Sequence, residues 1–420
     1  MSQSGDKIDR TMQISDVGKI VAKVMAEIPV CDIHTHLFDP AMPGLLLSGI
    51  DELLTYHYHV AELFRARPDL APEKFWQTSK IEQADLVWTE LFVEGPPLSE
   101  VGTGLVSLLS ALGIDPNAKD LREARAYFDG KDMAERVDES FRLAGVREVI
   151  MTNDPLDPDE RSIWLDGFER DPRFHAALRL DSAIMEWPCA VPALRELGYE
   201  VGEDLGPHTH EEVRRYLREW ADRMGARYMA VSLGPEFRYP DEDSSVTTLL
   251  KEAVLPVALE IGLPVALMIG VKRQVNSRLG LAGDGVGIAD VDSLERLASD
   301  HPDLRILATY LARENQHQLC VAARKFGNIL PFGCWWFVNN PCLIREITSM
   351  RLDLLGPTFV PQHSDARVLE QVVFKWLRSR DIIGSVLAER YQDLARSGFT
   401  VNEAVVREGV TRMFDGSLIG

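Results

Sequence analysis

Short, nearly all-apolar segments alternate with amphipathic helical ones along most of this chain, and that alternation restricts the fold more than any other feature. Eight segments read as strands: Pro29 to His36 (PVCDIHTH), then 147–154, 173–181, 227–233, 263–270, 304–313, 328–337 and 357–365. Helical spacing of apolar residues fills most of the intervals, as at 210–225, 246–262, 290–300 and 315–327. Strands that are apolar on both faces and followed by helices belong in a parallel sheet buried beneath those helices. Eight such units predict an α/β fold of the (β/α)8 TIM-barrel type, with an open doubly wound sheet as the structural alternative. Between the first two strands, at about 40–145, the pattern is instead mostly helical, with amphipathic runs at 51–65, 73–92 and 101–112. No repeat or linker divides the chain, so the reading is one domain, 1–420, carrying a helical insertion after strand 1. Ser15 is placed to cap a first helix, and two further helices are expected at 368–378 and 382–394.

Composition narrows the function. A formal charge of −20 argues against nucleic acid or an anionic membrane as partner, and no apolar run approaches a transmembrane span. The start of the chain has no basic segment followed by an apolar block, so no signal peptide is expected. Five scattered cysteines without a CxxC pair suit a reducing, cytoplasmic setting. If the substrate is an anion, local arginines must overcome the global field.

In a barrel, chemistry sits at the C-terminal ends of the strands. The first strand ends in two histidines two residues apart, and residues at that spacing share a face of an extended chain. His34 and His36 can therefore offer two imidazoles to one divalent ion. Asp365, after the last strand, can supply a carboxylate, because the last strand adjoins the first in a closed barrel. The plainer alternative for Asp365 is a helix cap. Arg179, Arg313 and Arg367 also follow strands and form a cationic rim suited to a carboxylate or phosphate, surface ion pairing being their plainer reading. The GDGVG run at 283–287 has the wrong spacing for a dinucleotide fingerprint, which leaves carboxylate as the better anion. Tyr58, in the YHYH run at 56–59, is either a packed aromatic or a hydroxyl that shuttles a proton. Of Trp335 and Trp336, one is expected in the core and one in the pocket.

The His-x-His and the final Asp are similar to those of amidohydrolase-type hydrolytic barrels. Those barrels usually add a lysine or glutamate on strand four and histidines on strands five and six. Here RYMAVSL, VALMIG and ILATY supply none of these, so a sparse, mononuclear site is expected.

Taken together, CDIHTHLFDP (31–40), DELLTYHY (51–58), MTNDP (151–155), ALRLD (177–181), FGCWWF (332–337) and HSDARVLEQVVFKW (363–376) resemble the uronate (glucuronate) isomerases, a divergent branch of the amidohydrolase superfamily. The resemblance implies aldose–ketose isomerisation of D-glucuronate to D-fructuronate and of D-galacturonate to D-tagaturonate, with zinc as the usual metal. It also implies a metal-dependent-hydrolase barrel, a small-molecule uronate as partner, and His34, His36 and Asp365 as ligands of one divalent ion. Tyr58 matches the family's active-site tyrosine, Arg367 the arginine two after the aspartate and Arg179 the arginine closing strand three, with weaker support for Arg313. Trp335 is assigned to the substrate pocket, and homo-oligomerisation is compatible with the sequence. Met268 stands where many relatives have a histidine, and Ala366 where many have a serine. The expected reaction passes through a cis-enediol, with Asp365 or a metal-held hydroxide as the C2 base and Tyr58 handling a hydroxyl proton. The competing expectations are a hydrolase of a sugar-acid lactone or amide, and a non-catalytic sugar-acid binder.

Overall fold

The computed structural model describes residues 16–419, so the cap expected at Ser15 lies outside the described residues. Seven parallel strands form one sheet in sequential order: β1 (Val30–Thr35), β2 (Val146–Asn153), β3 (Phe174–Arg179), β4 (Met229–Leu233), β5 (Val265–Ile269), β6 (Ile306–Tyr310) and β7 (Ile329–Pro331). Pairing of each strand with the next in sequence is what βα units produce. Alternate residues serve opposite faces. Ala176, Leu178, Met229, Val231, Val265, Leu267, Ile306 and Ala308 pack outward in one large core cluster. Ile33, Ile150, Ala177, Ala230, Ala266, Leu307 and Leu330 pack in another, together with Phe332 and Val360. Residues of the first and last strands share this inner cluster, so the sheet is curled. Burial on both faces is the reason the strands read as continuous apolar runs.

The eighth expected strand is not an extended ladder. Within 357–365 only Val360 forms a bridge, with Phe332, secured by Val360 N–H to Pro331 O (3.1 Å) and Gly333 N–H to Val360 O (2.9 Å). At its far end Asp365 N–H donates to His34 O (3.2 Å) and His36 N–H to Ala366 O (2.7 Å). The segment thus bonds to β7 at one end and to β1 at the other. Asp365 has a φ of +54°, so the chain leaves the strand conformation at this residue.

Between β1 and β2 lie helices that include α1 (His57–Ala66) and α2 (Glu100–Leu112). Their apolar faces build a separate cluster of Leu53, Leu54, Val60, Leu63, Trp88, Leu105 and Leu108, into which Phe374 also packs. Phe374 belongs to α3 (Gln371–Arg396), one continuous helix where two were expected. Its neighbour Lys375 pairs with Glu100 at 3.2 Å, and Glu370 accepts from Gly49 N–H at 3.1 Å. Among the described residues no helix is long and apolar enough to cross a membrane.

Candidate active site

One cavity at the C-terminal ends of the strands is lined by His34, His36, Arg179, Ser232, Met268, Trp335, Trp336, Asp365 and Arg367, with Tyr56, His57, Arg273 and Asp284 around them. Two histidines and an aspartate converge here. His34 Nε2 lies 3.5 Å, and His36 Nε2 3.4 Å, from Asp365 Oδ1. Atoms bound to a tetrahedral ion at about 2.0–2.1 Å stand about 3.4 Å apart, so the spacing suits a shared cation. His34 Nε2 and Asp365 Oδ1 are buried and have no hydrogen-bond partner. Orphaned lone pairs facing one another at that distance repel unless a cation lies among them. The donor set therefore fits a divalent metal ion, and these three residues form a candidate metal site. Burial, followed by the nearby Arg367, holds the His36 imidazole well below its ordinary pKa and keeps it neutral, as a ligand must be. Burial works to raise the Asp365 carboxyl, but the two imidazoles facing it outweigh this and hold it well below the usual carboxylate range.

Asp32 sits on β1, two residues before His34, and is fully buried. It accepts from Ser364 N–H (3.0 Å) and from Trp376 Nε1–H (2.7 Å), so it ties the strand carrying both histidines to the turn carrying Asp365. Burial pushes its carboxyl up to about 6.

The arginines differ. Arg179 reaches the cavity but pairs with Asp181 at 3.3 Å. Arg273, which the sequence reading did not single out, pairs with Asp284 at 2.8 Å. Arg313 is not brought to the cavity: it begins a 3-10 turn (Arg313–Asn315), its side chain is 57% exposed, and it pairs with Glu346 at 3.0 Å. Arg367 forms no ion pair among the described residues and faces the cavity. Trp335 and Trp336 both line it; Trp335 is also buried in the inner core cluster, as expected of one of the pair, and Trp336 is partly buried against that cluster. Trp336 lines the cavity at a φ of +45°, a turn that brings a second consecutive side chain to the same side.

The YHYH run holds the largest difference. An unbroken helix was expected from 51 to 65, but it stops at Leu54 and restarts at His57, with Tyr56 extended between (φ −69°, ψ 146°). That break turns Tyr56 and His57 into the cavity of the metal-site residues. Tyr58 instead lines the adjoining cavity, with Glu100 and Asn339. His57 and Trp336 border both cavities, and the Tyr56 and Tyr58 rings meet edge-on at 5.2 Å. Burial, with Arg367 second, lowers His57 to about 3, and burial raises both phenols. Neither Tyr56 nor His57 carries a spacing signal in the sequence.

No protein-family profile matches the chain, and no curated protein matches it. Solved structures do. The chain is similar to a uronate isomerase from Bacillus halodurans C-125, with a TM-score of 0.94 and 46% identity over 96% of each chain. It is also similar to a uronate isomerase from Thermotoga maritima (TM-score 0.75, 16% identity, 96% of this chain and 97% of that one). A glucuronate isomerase from Caulobacter crescentus follows (TM-score 0.74, 16% identity, 96% and 93%). The latter two bear on the fold alone. Nearly half of the residues are shared with the Bacillus enzyme along almost the whole length, and on that ground the chain belongs to the uronate isomerase family.

Proposed function

We propose that this protein is a uronate isomerase that interconverts D-glucuronate with D-fructuronate, and D-galacturonate with D-tagaturonate. The observation that carries the reading is an Arg367 without an ion pair among the described residues, beside the converging His34, His36 and Asp365, in a chain of this family. A guanidinium without a protein carboxylate is free to hold the carboxylate of an open-chain sugar acid. The three converging residues would hold one divalent ion, zinc being the family's usual metal. Such an ion offsets negative charge that develops on a substrate oxygen. Asp365 takes the proton from C2, whose bonding pair becomes the C1–C2 double bond of a cis-enediol. From the adjoining cavity the Tyr58 hydroxyl hands a proton to the C1 oxygen; Asp365 then returns its proton to C1 while the C2 hydroxyl gives its proton back to Tyr58, and the C2 carbonyl of the ketose forms. Arg179 and Trp335 orient the chain of the sugar.

In this proposal the segment 357–365 is the eighth barrel strand, reduced to its two ends. The helices between β1 and β2 form an insertion at about 40–145 within a single domain. Five unpaired cysteines accord with a reducing cytoplasm.

Incubation of the purified protein with D-glucuronate in heavy water, followed by NMR, tests the activity. Ketose should accumulate, with loss of the C2 proton signal where solvent competes for the transferred proton. Ring-lactone or amide cleavage instead would make it a hydrolase. Binding without ketose or exchange would make it a sugar-acid binder.

A further inference from the structure

The Nδ1 atoms of both histidines end on hydroxyl groups. His34 Nδ1 lies 3.2 Å from Tyr228 Oη, and His36 Nδ1 lies 2.9 Å from Thr152 Oγ1. Each hydroxyl has a second partner on β1. Tyr228 Oη–H donates to Ile33 O (2.7 Å), and Thr152 Oγ1–H donates to Thr35 O (2.9 Å). A hydroxyl has a single proton, and a backbone carbonyl can only accept. Once that proton is committed to the carbonyl, the hydroxyl can only accept from the imidazole. Nδ1 must therefore carry the hydrogen and Nε2 must be bare. Tyr228 is fully buried and Thr152 nearly so, so water does not offer either group an alternative partner.

We propose that Tyr228 and Thr152 are positioning residues that lock His34 and His36 in the Nδ1–H tautomer, with both Nε2 lone pairs aimed at the point Asp365 Oδ1 faces. Which imidazole nitrogen is free to bind a metal is set by the hydrogen bond the other makes. Two features mark the device. The accepting carbonyls, Ile33 and Thr35, alternate with the ligands along β1, so one strand supplies both the rings and the anchors of their locks. The locking groups are neutral hydroxyls from β2 and the residue preceding β4, so they fix the rings without adding negative charge beside Asp365. The proposal rests on reading the two histidines as metal ligands, but its first measurement uses no metal.

Metal-free protein labelled with 15N-histidine is examined by long-range 1H–15N correlation, which distinguishes the two tautomers, with His34→Gln and His36→Gln used for assignment. Both rings should be Nδ1–H in the wild type. Tyr228→Phe should shift His34 toward the Nε2–H form and leave His36 unchanged. Thr152→Val should do the converse, and Thr152→Ser should restore the wild-type spectrum. Competition with a chelator for Zn2+ should show affinity weakened about 10–100-fold in Tyr228→Phe and in Thr152→Val. An Nε2–H ring in the wild type, or folded variants with unchanged tautomers, would overturn the proposal. Should Tyr228→Phe fail to fold, the Thr152 variants decide it. Locked tautomers without any Zn2+ binding would uphold the lock and reject the metal reading of the site.

Discussion

Arginine side chains at strand ends look alike in a sequence, and their partners separate them. Arg179, Arg273 and Arg313 each have a carboxylate within 3.3 Å, whereas Arg367 has none among the described residues. A charged hydrogen-bond partner contributes about 1.5–3 kcal/mol, or roughly ten- to a hundredfold in affinity. Arg367→Met should therefore raise KM for D-glucuronate by that factor while metal content, read by elemental analysis, stays as in the wild type. Equal weakening toward the neutral parent sugar would remove the carboxylate from its role. Arg313→Met should leave the kinetics near wild type, since its guanidinium is bound to Glu346 at the surface. At this scale the sequence pointed to His34, His36, Asp365 and Arg367 because ligand chemistry restricts residue types. It did not mark Arg273 or Asp284, which reach the cavity on an excursion after β5.

The turn that opens α1 decides which tyrosine shares a cavity with the metal-site residues. Resemblance to the family points to Tyr58, whereas the turn sends Tyr56 to the cavity with Arg367 and Asp365 and sends Tyr58 to its neighbour across His57. Both substitutions to Phe keep the ring and remove only a hydroxyl. Tyr58→Phe should lower kcat by about 100-fold if that hydroxyl handles the enediol proton. Tyr56→Phe should act mainly on KM, through its neighbour Arg367. The reverse pattern in steady-state kinetics would transfer the proton role to Tyr56. Amphipathic spacing across 51–65 gave no sign of the break at residues 55–56, because periodicity records which face is buried and not where a helix is interrupted. The segment 357–365 differs from expectation for a related reason: its apolar residues are buried like those of a strand, but its ladder is satisfied at the ends alone.

Stability belongs to the whole molecule, and a buried acid away from the metal-site residues gives it a pH dependence. Glu160 accepts from Asn153 Nδ2–H and Asp154 N–H, both at 3.0 Å, and burial pushes its carboxyl up to about 8 from an ordinary 4.5. Between those two values the folded chain holds a proton that the unfolded chain has released, so the stability Glu160 contributes is lost as pH rises from about 4.5 to about 8 and is constant above that window. Glu160→Gln should flatten that dependence and raise the thermal midpoint at pH 9 by roughly 1–3 °C. A midpoint that falls with pH as steeply in the variant as in the wild type would assign the effect elsewhere. A chain with 65 acidic against 45 basic residues carries a general repulsion at high pH, so the comparison between variant and parent is the one that counts.

Strand order, parallel pairing and the meeting of His34, His36 and Asp365 were determined by the sequence alone. Apolar runs alternating with helices leave few ways to bury both faces of a sheet, and a pair of histidines at spacing two must share a side. What the tertiary structure decided is which polar side chains reach that point and in what state. Tyr228 and Thr152 lie 194 and 116 residues from the rings they hold, and Arg179 and Arg273 have carboxylate partners where Arg367 has none among the described residues. Such pairings are set by distances between strands that folding brings together. A pattern of residue types along the chain does not contain them.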